Sequence, residues 1–173
     1  MQFELNAQEK QILLQTAREV ISARLEKRKP LFSKPNENLQ QQCGAFVTLH
    51  KHGKLRGCIG HITGLSPLIE TIKEVAAASA FQDPRFPPLA ADEIKDIDIE
   101  ISVLTPLERI TDPGIIEPGK HGIYIKRRGY SGVLLPQVAT EQGWDRETFL
   151  THTCYKAGLP GDCWEDPAVE IYT

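Results

Sequence analysis

Leu55-Arg56-Gly57-Cys58-Ile59-Gly60 packs two glycines, a thiol and a guanidinium into six residues, and the reading of the chain grows from it. An apolar run, Ala45 to Leu49, precedes it, and Lys51-His52-Gly53-Lys54 lies between the two. Two β-type runs joined by a turn with glycine predict a hairpin. With His52-Gly53 as a two-residue loop, Val47 pairs with Cys58, Leu49 with Arg56 and Ala45 with Gly60. Strand side chains alternate between faces, so Arg56, Cys58 and Gly60 are expected on one face. Glycine inside a strand marks a bulge or the close approach of another backbone or a ligand. A buried hairpin with a core cysteine is the plainer alternative, since free cysteine is among the most buried residue types.

Upstream, Asn6 and Glu9 have the spacing of a capping box. Ile12, Leu13, Ala17, Val20 and Ile21 then recur at helical spacing, and Pro30 predicts an end near Lys29. Residues 30–43 read as a loop. Downstream, Ser66-Pro67 predicts a helix start, with Ser66 as the cap and Pro67 in the first turn. Its inner stripe is Leu68, Ile69, Ile72, Val75, Ala76 and Ser79. Phe81-Gln82-Asp83-Pro84-Arg85-Phe86-Pro87-Pro88 ends that helix and holds Asp83 and Arg85 in a rigid corner, either paired with each other or facing a ligand.

From Asp96 to Leu104 the chain alternates. Ile97, Ile99, Ile101 and Val103 fall on one face, and Asp98, Glu100 and Ser102 on the other, as in a half-buried strand. Prolines and glycines at 106, 113–114 and 118–119 predict a boundary. A second hairpin follows, Gly122–Arg127 and Ser131–Leu135 around Arg128-Gly129-Tyr130, with His121 just before it. A short helix from Pro136 to Gly143 and a helix capped by Asp145 come next. Cys154 falls on the inner stripe of the latter. The tail, Ala168 to Tyr172, reads as a β-type run able to add an edge to the first sheet.

The chain has 173 residues, 40% hydrophobic and 25% charged, which suits one globular domain with its own core. A net charge of −3 argues against nucleic acid as a partner. Four cysteines, at 43, 58, 154 and 163, lack C-x-x-C spacing, so neither a zinc framework nor a redox dithiol is expected. Met1-Gln2-Phe3-Glu4-Leu5 carries no signal-peptide pattern, and no apolar run is long enough for a bilayer. These features predict a cytoplasmic protein with reduced thiols and no membrane.

Six stretches together carry a resemblance: LRGCIG at 55–60, FQDPRF at 81–86, IEISVL at 99–104, HGI at 121–123, LLPQVA at 134–139 and CYKAGL at 154–159. They resemble the AMMECR domain family, named for an Alport-syndrome chromosomal region. The resemblance implies an α+β fold of two lobes, each an antiparallel sheet flanked by helices, with LRGCIG in a cleft between them. The expected larger lobe spans about 1–105 plus 165–173, and the smaller about 106–164. It also implies association with Memo-like proteins and radical SAM enzymes, and no established reaction.

Two functions fit. In the first, an enzyme, Cys58 is the nucleophile, Arg56 stabilises it or grips an acidic group, and His121 is a general base oriented by Glu100. Gly57 and Gly60 let substrate approach, and Asp83, Arg85, Glu100 and Gln137 complete the substrate-binding set. A metal variant would recruit His61 or His121 with Cys58 and Glu100, but the spacing does not suit zinc, so no metal or cofactor is expected. In the second, a binding module, Arg56 and Arg85 anchor acidic groups of a peptide or protein partner. The basic clusters Lys51, Lys54, Arg56 and Lys126, Arg127, Arg128 read as solvated turns, which leaves nucleic acid the least favoured partner.

Overall fold

The computed structural model describes residues 4–173. Met1-Gln2-Phe3, part of the stretch read for a signal peptide, lies outside them. The chain divides into two compact units, Met1–Pro106 and Leu107–Thr173. Each is a mixture of helices with an antiparallel sheet, so the fold is α+β. No helix of the described residues is long and apolar enough to cross a membrane.

Unit 1 contains α1 (Ala7–Leu25), β1 (Gly44–Lys51), β2 (Lys54–His61), α2 (Leu68–Phe81) and β3 (Ile97–Leu104). The capping box forms as read: Asn6 Oδ1 accepts from the Glu9 amide, and Glu9 Oε2 from the Asn6 amide. Asn36 and Asn38 also donate to Glu9, tying the following loop to the start of α1. α1 ends at Leu25, short of Lys29, because Lys27 takes a left-handed conformation (φ 54°) and turns the chain away. α2 begins one residue later than read. Pro67, not Ser66, is its cap, and the Leu68 amide is satisfied from outside by the Gln41 carbonyl. The sheet order is β2-β1-β3. Ala45, Val47 and Leu49 turn one of its faces into a core with Leu13, Ala17 and Ile21 of α1 and Ile69, Ile72, Val75 and Ala76 of α2.

Unit 2 contains β4 (Arg109–Ile110), β5 (Ile123–Arg127), β6 (Tyr130–Leu134), α3 (Pro136–Gln142), α4 (Arg146–Lys156) and β7 (Glu170–Tyr172). The β5–β6 loop is Arg128-Gly129, both at positive φ, so Tyr130 belongs to the strand. Gly143 closes α3 in the left-handed conformation, and the Asp145 carboxylate caps α4. Ile123, Ile125, Phe149, Leu150 and Ile171 form the core.

Two expectations are corrected here. The sheet order is β4-β7-β5-β6, so the C-terminal strand pairs with β5 and β4 and adds no edge to the first sheet. Alternation lets Ile171 fill the second core from this position while Glu170 and Tyr172 face the other way. Nor are all four thiols reduced: Cys154 and Cys163 form a disulfide, with Cα atoms 5.9 Å apart. Cys154 is in the core as read, but the turn through Gly158 and Pro160 brings Cys163 back beneath it. Cys43 and Cys58 are free.

Candidate functional site

The first hairpin turns as its sequence dictates and then departs from simple pairing. His52 and Gly53 both have positive φ, 51° and 74°, which matches a two-residue turn that follows the strand twist. Lys51 pairs with Lys54 and His50 with Leu55, but Leu49 then pairs with Gly57, leaving Arg56 as an extra residue. This bulge shifts every later pair by one position. Cys58 lies across from Thr48 instead of buried Val47, and Gly60 across from Phe46. The thiol therefore sits on the sheet face opposite the helices, and Gly57 takes the face against α2.

The expected single face of Arg56, Cys58 and Gly60 accordingly loses Arg56. Released by the bulge, its guanidinium donates to both oxygens of Glu93, at 3.1 and 2.8 Å, and to the Pro87 carbonyl at 3.0 Å. Lys51 reaches the same carboxylate at 2.9 Å. Hydrogen bonds first from Arg56 and the Ala90 amide, then from Lys51, hold the Glu93 carboxyl down at about 2.

Asp83 and Arg85 are the side chains that reach the Cys58 backbone. The Cys58 amide donates to Asp83 Oδ2 at 2.9 Å, and Arg85 donates to the Cys58 carbonyl at 3.3 Å. Arg85 also donates to both Asp83 oxygens, at 3.0 and 2.7 Å. The Asp83 side chain is 2% exposed and that of Arg85 54%. A carboxylate so deeply placed needs paired donors. These donors, the Arg85 guanidinium foremost, hold the Asp83 carboxyl well below its usual range. The same bond raises Arg85, with a smaller contribution from the charge of Asp83. Cys58 is half-buried, and Thr48 Oγ1 donates to its sulfur at 3.2 Å.

Other predicted residues have other positions. Glu100 is exposed and pairs with Thr48 from the far side, so Cys58, Thr48 and Glu100 form a row across three strands. Two strand spacings separate the ends of that row by about 10 Å. Gly60 is required where it stands, since a β-carbon there would meet the Phe46 ring at 2.4 Å. His121, in unit 2, accepts the Glu117 amide on Nδ1 at 3.1 Å, which places the proton of the neutral ring on Nε2. Gln137 lies in the first turn of α3. The His61 Nε2 lies 3.0 Å from Glu74. Thr48 and Glu93 were not singled out from sequence. Thr48 would follow from strand parity once the bulge is known, whereas no local signal marks Glu93.

Residues 14–173 of this chain match the family described as AMMECR1. The chain belongs to the AMMECR1 family. A relative from Methanothermobacter thermautotrophicus is 50% identical over 77% of this chain and 72% of its own length. Protein MK0488 of Methanopyrus kandleri is 44% identical over 97% of this chain and 86% of its own. The crystal structure of the uncharacterised protein PH0010 from Pyrococcus horikoshii superimposes with a TM-score of 0.82 at 42% identity, covering 92% of this chain and 85% of that one. The PH0010 structure shares the α+β fold.

Proposed function

We propose that this AMMECR1-family chain acts through the Cys58 thiol, which serves as a nucleophile while the outer edge of Arg85 receives an acidic group of the substrate. One observation carries the reading. Both polar atoms of the Cys58 peptide are gripped by the Asp83–Arg85 pair, while the sulfur remains half-buried on the face away from the helices. A group held so firmly keeps its geometry when a substrate arrives. The chemistry open to the sulfur is attack on an electrophilic carbon: a carbon–sulfur bond forms, the thiol proton passes to solvent and the leaving group departs from that carbon. The partner classes that fit the resemblance are Memo-like and radical SAM proteins.

Timed alkylation with iodoacetamide, read by intact mass and peptide mapping, tests it. Cys58 should react faster than free cysteine, and Arg85→Gln should slow it. A rate equal to free cysteine, unchanged by Arg85→Gln, would overturn the nucleophile.

A second reading, a binding module without covalent chemistry, is favoured by the occupied Nδ1 of His121, which leaves that ring as a donor and not a base. It expects Cys58→Ser to keep co-purifying partners and Arg85→Gln to lose them.

A further inference from the structure

The thiol reading leaves one face of the second sheet unused. Ile123, Ile125 and Ile171 are buried in the unit 2 core. The residues between them, Tyr124, Lys126, Glu170 and Tyr172, alternate onto the opposite face. On the two central strands, Tyr124 lies directly across from Tyr172, and Lys126 across from Glu170. Arg109 faces Tyr172 from the next strand. The tyrosine rings have centroids 5.9 Å apart and are tilted by 39°. The Tyr172 hydroxyl donates to Glu170, two residues back on its own strand, which draws the ring down along the sheet. Both rings are half-buried, whereas Lys126 and Arg109 are exposed. Glu170 lies between the two cations and is held below its usual range by its Tyr172 bond and by both of their charges, which leaves one net positive charge among these three groups.

We infer that this face binds a nucleotide, with the base stacked on the Tyr124–Tyr172 pair and a phosphate held by Arg109 and Lys126. A purely apolar partner would gain nothing from the flanking cations, and an acidic peptide would not need the paired rings. A nucleotide uses both. Stacking on aromatic side chains of a four-stranded antiparallel sheet is an established way to take bases. The footprint is small: the face offers two cations, Arg109 and Lys126, which suits one or two phosphates and so one or two nucleotides. They come either free or as part of a single strand.

Isothermal titration of the full chain with AMP, ribose 5-phosphate and a short oligoadenylate tests the site. AMP should bind saturably, with ribose 5-phosphate about tenfold or more weaker for want of stacking. Tyr124→Leu, which keeps a strand-compatible side chain, should weaken AMP about tenfold at unchanged melting temperature. Lys126→Glu, at an exposed position, should weaken AMP and flatten its salt dependence. Oligoadenylate tighter than AMP assigns the face to single strands, and equal affinity assigns it to free nucleotides. Absence of saturable binding by both, or ribose 5-phosphate binding as well as AMP, overturns the inference. Should Tyr124→Leu fail to fold, unchanged AMP affinity in Lys126→Glu overturns it equally.

Discussion

The carbonyl oxygen of Ser79 lies 2.1 Å from where a β-carbon on Gly57 would stand. At this point the last turns of α2 press directly on β2. The Ser79 hydroxyl also enters the ladder, accepting from the Ile59 amide at 2.9 Å and donating to the Val47 carbonyl at 2.7 Å. Gly57→Ala must therefore push a helix backbone, not a flexible side chain. The expected loss is about 3 kcal/mol, or roughly 12–24 °C in the melting of unit 1. Calorimetry checks it, and an unchanged melting temperature would refute the close approach.

Ser79→Ala removes both bridging bonds at a residue only 1% exposed. The Val47 carbonyl and Ile59 amide are then left without the hydroxyl that bridges them. About 1–3 kcal/mol should be lost in urea unfolding. A neutral result would mean that the two strands close up once the hydroxyl is gone.

Acid should destabilise unit 1. The carboxyls of Asp83 and Glu93 both sit below their unfolded values, Glu93 at about 2 against 4.5. A depressed carboxyl contributes stability that is complete above its unfolded pKa and is lost as pH falls toward its folded pKa. Stability should be flat from neutral pH down to about 5 and fall between about 4 and 2. Asp83→Asn should lower the neutral plateau and make the acid slope shallower. A slope identical to the parent chain would remove Asp83 as its source.

Glu93 is the common acceptor of Arg56 and Lys51, and its side chain is 15% exposed. Glu93→Gln leaves the Arg56 guanidinium, 12% exposed, without a counter-charge. A cost of about 2 kcal/mol is expected. Double substitution with Arg56→Met should recover part of it, and a thermodynamic cycle reads the coupling.

Thiol titration separates the cysteines. Two free thiols are expected in the native chain, with Cys58 accessible and Cys43 protected by burial, which also pushes the Cys43 thiol up. Reduction should release two more, from Cys154 and Cys163, and destabilise unit 2 by about 2–3 kcal/mol for a loop this short. Four reactive thiols without reductant would contradict the bridge.

Much of this was legible in the chain itself. Asn6 with Glu9, the alternation from Ile97 to Val103, His52-Gly53 and Asp145 each act through neighbours a few residues away, and each did what local chemistry requires. What was missed depends on distance. The glycines beside Arg56 point to a bulge or a close approach, but they do not say which residue is surplus, because its partner Glu93 is 37 residues on. The bridge between Cys154 and Cys163 depends on how Gly158 and Pro160 fold the chain back. The C-terminal strand is apolar and short, and composition alone does not tell it which sheet to join. The proline-rich corner shows Asp83 and Arg85 to be held, paired with each other or facing a ligand, but their grip on Cys58 appears only when α2 and β2 meet.

The bulge carries a genetic consequence. Because position 56 is surplus to the ladder, an in-frame loss of its codon would keep Gly57 opposite Leu49 and the sulfur opposite Thr48, forfeiting little beyond the Glu93 ion pair. Loss of the next codon would put a side chain where α2 tolerates none. Two adjacent triplets thus sit under opposite constraints, one on the charge it supplies and the other on the atom that must be missing.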